Sequence, residues 1–256
     1  MIFVTGDCHA DFRKFSTPAF PEQTEMTKDD IVIILGDFGG IWNADGETPA
    51  ERYWLKWLDD KSFTTVFVDG NHENFDRLNN EFEVVNFHGG KAHKIRNSVF
   101  HLMRGEIFDF EGNSFFAFGG ASSHDIQDGI LSWEDFDSQE EFARTLKLWT
   151  KQQKMFRINH RSWWAEELPS DEEIRNAENN LAKVNYKIDY VLSHCAPQSI
   201  IALMYMYTTE SDKLTLWFEE LQQKLEFKNW FFGHYHEDKK ILDKYILLYD
   251  QIVRIK

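Results

Sequence analysis

Five clusters of polar residues in this chain share one placement: each directly follows a short apolar run. They are Gly6-Asp7-Cys8-His9, Gly36-Asp37-Phe38-Gly39-Gly40, Gly70-Asn71-His72-Glu73, Ser193-His194 and Gly233-His234-Tyr235-His236. Carboxylate and amide oxygens mixed with imidazole nitrogens suit Mn, Fe, Ni or Zn, and need no thiolate. A single Gly-Asp or Gly-His pair is most often an ordinary turn. Five clusters, each behind a candidate buried strand, are far more specific and point to a metal site. The glycines before Asp7, Asp37, Asn71 and His234 allow sharp turns and a close approach of backbone to metal or phosphate.

The apolar runs that must position these groups are Ile2 to Thr5, Ile31 to Leu35, Thr65 to Val68, Phe115 to Phe118, Tyr190 to Leu192 and Trp230 to Phe232. Their length and bounding residues predict buried strands. Helical spacing lies between them. Pro49 to Asp60 sets Tyr53, Trp54, Trp57 and Leu58 on one face, and Thr209 to Leu225 does so with Leu214, Trp217, Phe218, Leu221 and Leu225. Alternating strands and helices predict an α/β protein, in which loops after strand ends converge on one edge. The stretch from about 122 to 187 is polar, charged and helical in pattern, without a convincing strand. It opens two helices at Ser138 with Glu141 and Ser170 with Glu173, where hydroxyl and carboxylate can satisfy free amides. With no internal repeat and no flexible linker, residues 1–256 read as a single domain carrying a helical cap insertion at about 122–187.

Composition narrows the function classes. The net charge of −15 disfavours an extended nucleic acid as partner, although bound cations can reverse the local field inside a site. No apolar run is long enough to cross a bilayer. The metal-type pattern starts at Asp7, which leaves no room for a removable leader, so a cytoplasmic location is expected. Cys8 and Cys195 are too few for a disulfide framework and read as small filler residues.

At these clusters the chain resembles the calcineurin-like metallophosphoesterase superfamily, whose blocks run Asp-x-His, Gly-Asp-x-x-Gly, Gly-Asn-His-Glu/Asp, His and Gly-His-x-His. The likeness spans residues 6 to 236. It implies a four-layer α/β/β/α sandwich of two mixed sheets flanked by helices. It implies two divalent metal ions, manganese favoured over Fe, Zn or Ni: Asp7, His9, Asp37 and His236 around one, and Asp37, Asn71, His194 and His234 around the other. A hydroxide bridging the two would attack phosphorus in line. His72 is then the expected general acid, its ordinary pKa near 6.5 suiting it to the task. Glu73 is expected to orient its loop.

The chain departs from its protein-phosphatase relatives. Gly39-Gly40-Ile41 and Asp69-Gly70-Asn71 stand where those enzymes carry phosphate-gripping arginines. Weight therefore moves to phosphodiesters or small phosphomonoesters, of nucleotide type, with a nuclease or a catalytically silent docking scaffold as alternatives. Ala10 replaces a frequent glycine and predicts a differently built turn. The insertion resembles that of a bacterial and phage-associated subset, with Gly119-Gly120-Ala121-Ser122 and later Ser162-Trp163-Trp164-Ala165-Glu166-Glu167. Either residues 122–125 reach the rim and Arg157, Trp163 and Trp164, with His160 and Arg161, contact substrate, or the two tryptophans dock the insertion onto the body and the basic residues balance its carboxylates. His88, His93 and His101 fall outside the pattern and read as structural or surface residues.

Overall fold

A computed structural model describes residues 1–205 and 211–255. The chain begins β1 (Ile2–Thr5), β2 (Ile31–Leu35), α1 (Pro49–Asp59), β3 (Thr64–Val68), α2 (Phe75–Asn80), β4 (Glu83–Phe87), β5 (Gly90–Arg96) and β6 (Val99–Leu102). It continues with β7 (Glu106–Phe110), β8 (Asn113–Phe118), β9 (Gly129–Leu131), α3 (Gln139–Lys151), β10 (Phe156–Ile158) and α4 (Asp171–Lys183). It ends with β11 (Tyr190–Ser193), α5 (Gln198–Tyr205), α6 (Lys213–Lys224), β12 (Asn229–Phe232), β13 (Lys239–Ile241), β14 (Tyr245–Leu247) and β15 (Ile252–Arg254).

Two mixed sheets result, in the orders β15-β1-β2-β3-β6-β5-β4 and β13-β14-β12-β11-β8-β7. In the first, β1, β2, β3 and β6 are parallel. In the second, β8, β11, β12 and β14 are parallel. Side chains alternate across a strand with period two, and the core divides accordingly. Ile2, Val4, Ile31, Ile33 and Leu35 pack against Phe115, Ala117, Leu192 and Phe231 between the sheets. The intervening Phe3, Val32 and Ile34 face outward onto Phe12, Phe15 and the α1 residues Leu55 and Leu58. On the far side, Phe116, Phe118, Val191, Trp230 and Phe232 meet α4, α5 and α6. Central strands such as β2 are apolar throughout because both faces are buried. The fold is thus two mixed sheets face to face, flanked by helices, as expected.

All six expected strands form. The face of α1 differs: Leu55 and Leu58 point into the core, Trp54 and Trp57 pack at its edge, and Tyr53 is 60% exposed. Of the second expected helix, Thr209 and Glu210 lie outside the described residues, and α6 starts at Lys213, behind a cap in which Asp212 accepts from Thr215. Both serine caps form, though only Ser170 and Glu173 bond reciprocally. Among the described residues no helix is long and apolar enough to cross a membrane.

The insertion is not wholly helical. β9 and β10 pair in parallel through Gly129–Leu131 and Phe156–Ile158, and runs of three residues give too little periodicity to read from sequence. Trp164 decides between docking and substrate contact. It is fully buried, its indole N–H donates to Asp76 Oδ2 on α2 at 2.8 Å, and its ring meets Trp42 edge-on at 5.5 Å. A ring so enclosed offers no face to a ligand and instead fastens the insertion to the body. Trp163 is half-buried, and its backbone bonds to Ile158 and His160. Trp164→Ala is expected to lower unfolding free energy by about 3–5 kcal/mol in urea titrations; an unshifted midpoint would remove this fastening role.

Candidate metal centre

The five clusters meet where the parallel strands of the two sheets end. Asp7 follows β1, Asp37 follows β2, Asn71 follows β3, His194 follows β11, and His234 and His236 follow β12. Their donor atoms form triads: Asp7 with His9 and His236, and Asp37 with His194 and His234, the atoms of each lying within 4.8 Å of one another. His236 Nε2 is 3.2 Å and His9 Nε2 3.6 Å from Asp7 Oδ2. Asp37 faces both groups, with Oδ2 3.7 Å from His9 Nε2 and Oδ1 3.2 Å from His194 Nε2.

The local backbone is built to aim these groups. His9, Ala10, Asp37, His234 and His236 all have positive φ, between 43° and 71°. This left-handed region is costly for residues with a Cβ and is concentrated at functional sites. Ala10, at φ +62°, adopts the glycine-like turn after all, so its substitution does not signal a different loop. Gly70 shows why no side chain fits behind the carboxylates: a Cβ there would lie 2.2 Å from Asp37 Oδ1 and 2.4 Å from Asp37 N.

Hydrogen bonds fix which atom faces inward. His194 Nδ1 donates to Leu35 O at 2.7 Å, which turns Nε2 to the centre. The N–H of His234 donates to Asp7 Oδ1 and that of His72 to Asp37 Oδ1, at 2.9 and 2.8 Å. Glu73 accepts from Phe38 N, Gly39 N and Gly70 N at 2.9, 3.0 and 3.2 Å, pinning the Asp37 loop to the Asn71 loop. Burial, then Asp37, pushes its carboxyl well up.

Charge is unbalanced at the centre. Burial opposes ionisation of Asp7 and Asp37, yet the histidines around them, His194 foremost, hold both below the usual carboxylate range. Burial likewise opposes a charged His194, but Asp37 and Asp7 push it up to about 10. Burial and the charged His194 bring His234 down to about 3. Asp7 Oδ2, Asn71 Oδ1 and His194 Nε2 are buried without a hydrogen bond of good geometry. Such atoms are expensive unless something pairs with them. Separations near 3.2 to 3.7 Å are those of ligands sharing one cation at roughly 2.1 Å. The donor set therefore fits two divalent cations.

His72 lies beside this centre, within reach of His9 and Asp37. Arg157, carried in by β10, donates from Nη2 to His72 Nε2 at 3.3 Å, and is itself held by Asp125 Oδ1 and Ser162 O. A guanidinium at that nitrogen disfavours a cation there. Burial, aided by Arg157 and against the pull of Asp37, lowers His72 to about 4. Cys8 and Cys195 are free and buried, and burial pushes the Cys8 thiol up to about 12.

Several neighbours were not foreseen. Trp42 stacks on His72 at 5.4 Å, Tyr249 on His236 at 4.6 Å, and His124 approaches His234. Trp42 stands two residues after the glycine-rich second cluster and could have been noticed there; Tyr249 gives no local signal. Two cavities flank the centre, one of about 420 Å³ lined by His9, Trp42, Asn43 and His72, the other of about 660 Å³ lined by Ser123, His124, His234 and Tyr235.

A family model described as calcineurin-like phosphoesterase matches residues 1–238. No curated protein matches the chain. Because His194 holds a proton that a cation must displace, metal uptake should release protons and tighten as pH rises, by about tenfold per unit for each proton released. Calorimetric titration with Mn²⁺ at pH 6 and 8, in buffers of different ionisation heat, measures this directly; an affinity independent of pH would refute it.

Proposed function

The chain belongs to the calcineurin-like phosphoesterase family, in which phosphate esters are hydrolysed with the help of metal ions, and on that premise we propose a two-cation hydrolase of small nucleotide-type phosphodiesters. The observation that carries the reading is the pair of triads around Asp37, with orphaned donor atoms on Asp7, Asn71 and His194. Asp7, His9, Asp37 and His236 would hold one ion, and Asp37, Asn71, His194 and His234 the other, with Mn²⁺ favoured. Bound there, the ions supply a hydroxide at neutral pH and neutralise phosphoryl oxygens.

The protein's own groups do the rest. Arg157 presents N–H donors beside His72 and supplies from the insertion the guanidinium missing from Gly39-Gly40-Ile41 and Asp69-Gly70-Asn71. In the free protein His72 Nε2 accepts from Arg157, the wrong state for an acid. An incoming phosphate competes for the guanidinium, because N⁺–H···O⁻ bonds are the stronger ones, and leaves Nε2 free to take a proton from solvent and pass it to the leaving oxygen.

A diester is favoured over a monoester because a cavity lies on each side of the centre, giving both arms of the substrate a place. Trp42 offers one arm an aromatic wall, which supports a nucleotide-type group. The charge of −15 weighs against a long nucleic acid. Two free, buried thiols fit a cytoplasmic setting.

Metal-stripped protein should hydrolyse an aryl phosphodiester faster than the matching monoester once Mn²⁺ is added, and neither without it; absent turnover at full metal loading would sink the proposal. His72→Ala should slow an alkyl ester about 10²–10⁴-fold and an ester of nitrophenol much less, whereas equal losses on both would exclude proton donation. Arg157→Ala should raise KM more than it lowers kcat.

A further inference from the structure

Resting on the two-cation reading above, we propose that Ser123 and Glu167 are positioning residues that set the orientation of the Asn71 amide and with it the affinity of the cation shared by Asp37, Asn71, His194 and His234. Asn71 is a special ligand among these. A carboxylate or an imidazole offers a lone pair in most orientations, but an amide has one end that binds a cation and one that repels it. What decides between them is the hydrogen bond made by the other end.

In this structure Asn71 Nδ2 donates to Ser123 Oγ at 3.4 Å, and Oδ1 is left buried with no partner. Glu167 holds Ser123 where its oxygen can accept from the amide: the carboxylate Oε2 takes a hydrogen bond from Ser123 N at 3.0 Å. The carboxylate fixes the serine, and the serine oxygen then fixes the amide. A flipped Asn71 would turn its N–H groups against the cation and set Oδ1 against the Ser123 oxygen.

The relay is anchored. Glu167 and Ser123 are 2% and 4% exposed. The turn before Glu167 is clamped by Arg104 Nη2, which donates to Glu166 O at 2.8 Å. Gly120, at φ +93°, comes so close that a Cβ there would lie 2.7 Å from Glu167 O. Glu167 Oε1 is itself buried without a partner. Packing alone would not retain so costly a carboxylate where an apolar side chain would fill the space; directing Ser123 gives it a role.

The test titrates metal-stripped wild type, Ser123→Ala, Ser123→Thr and Glu167→Gln with Mn²⁺, reading free ion and the spin-coupled signal of an ion pair by electron paramagnetic resonance. Wild type should take up two ions. Ser123→Ala should keep one at wild-type affinity and bind the other about tenfold or more weakly, as loss of an outer partner does, so that the coupled signal is missing at concentrations that fill wild type. Ser123→Thr, which retains the hydroxyl, should restore it, and Glu167→Gln should weaken the same ion less. Two ions bound by Ser123→Ala with wild-type affinity would overturn the proposal, as would equal weakening of both ions with a lowered Tm. Wild type that takes up fewer than two ions would instead bring down the two-cation reading itself.

Discussion

Two carboxylates, Asp7 and Asp37, sit 2% exposed in the seam between two sheets, within reach of the same histidine. Like charges so placed repel strongly at low local dielectric, and burial alone would neutralise them. The protein keeps both ionised by surrounding them with imidazoles, and His194 carries the proton that a cation would replace. The same problem is solved differently nearby. Asp69 is paired with Arg104 and His101, a closed arrangement with its charge balanced inside the protein. Glu73 is satisfied by three backbone N–H groups. Only the Asp7 and Asp37 group, of these three, leaves donor atoms turned toward a shared space, which is why it reads as a metal centre and the others as struts.

Holding that arrangement places demands on the backbone. Five residues with side chains adopt left-handed geometry around the centre, each at a cost of order 1–3 kcal/mol. The strain is tolerable because each loop springs from a strand whose two faces are locked into separate cores. A strand unable to rotate or slide without moving its side chains to the wrong layer gives a strained loop a fixed base. Affinity for metal is in this sense built from apolar alternation several residues away.

The same alternation decided what was legible beforehand. Strands buried on both faces, such as Ile31–Leu35, read as unbroken apolar runs, and the ligands were visible because they follow those runs immediately. Edge strands such as β4, with Glu83 and Asn86 facing solvent, and β13, with two lysines, carry no such run. The three-residue β9 and β10 are too short to show a period. Trp164 is ambiguous because a tryptophan near a site looks the same in sequence whether it docks a segment or receives a ligand; only its burial and its bond to Asp76 distinguish the two. Ser123 and Glu167 are marked only by the stretches that contain them, and Tyr249 not at all, because the importance of each lies in contacts made across the fold.

The insertion reaches the centre at several independent points: Arg157 at His72, Ser123 at Asn71, and Trp164 at Asp76 and Trp42. Asn71, His72 and Asp76 belong to one loop and the helix it enters, so the insertion grips a single element of the body along its length. A segment acting as a detachable cover would instead touch the rim through exposed, exchangeable contacts. Trp164 and Ser123 are buried and Arg157 is 8% exposed, so freeing the insertion would expose a large aromatic surface and strip Asp76 of His160 and Trp164. The outer helix α3, which buries none of its residues, is the part of the insertion exempt from this argument. The remainder is best regarded as a wall of the centre, folded together with it and packed on the stretch of chain that carries Asn71 and His72.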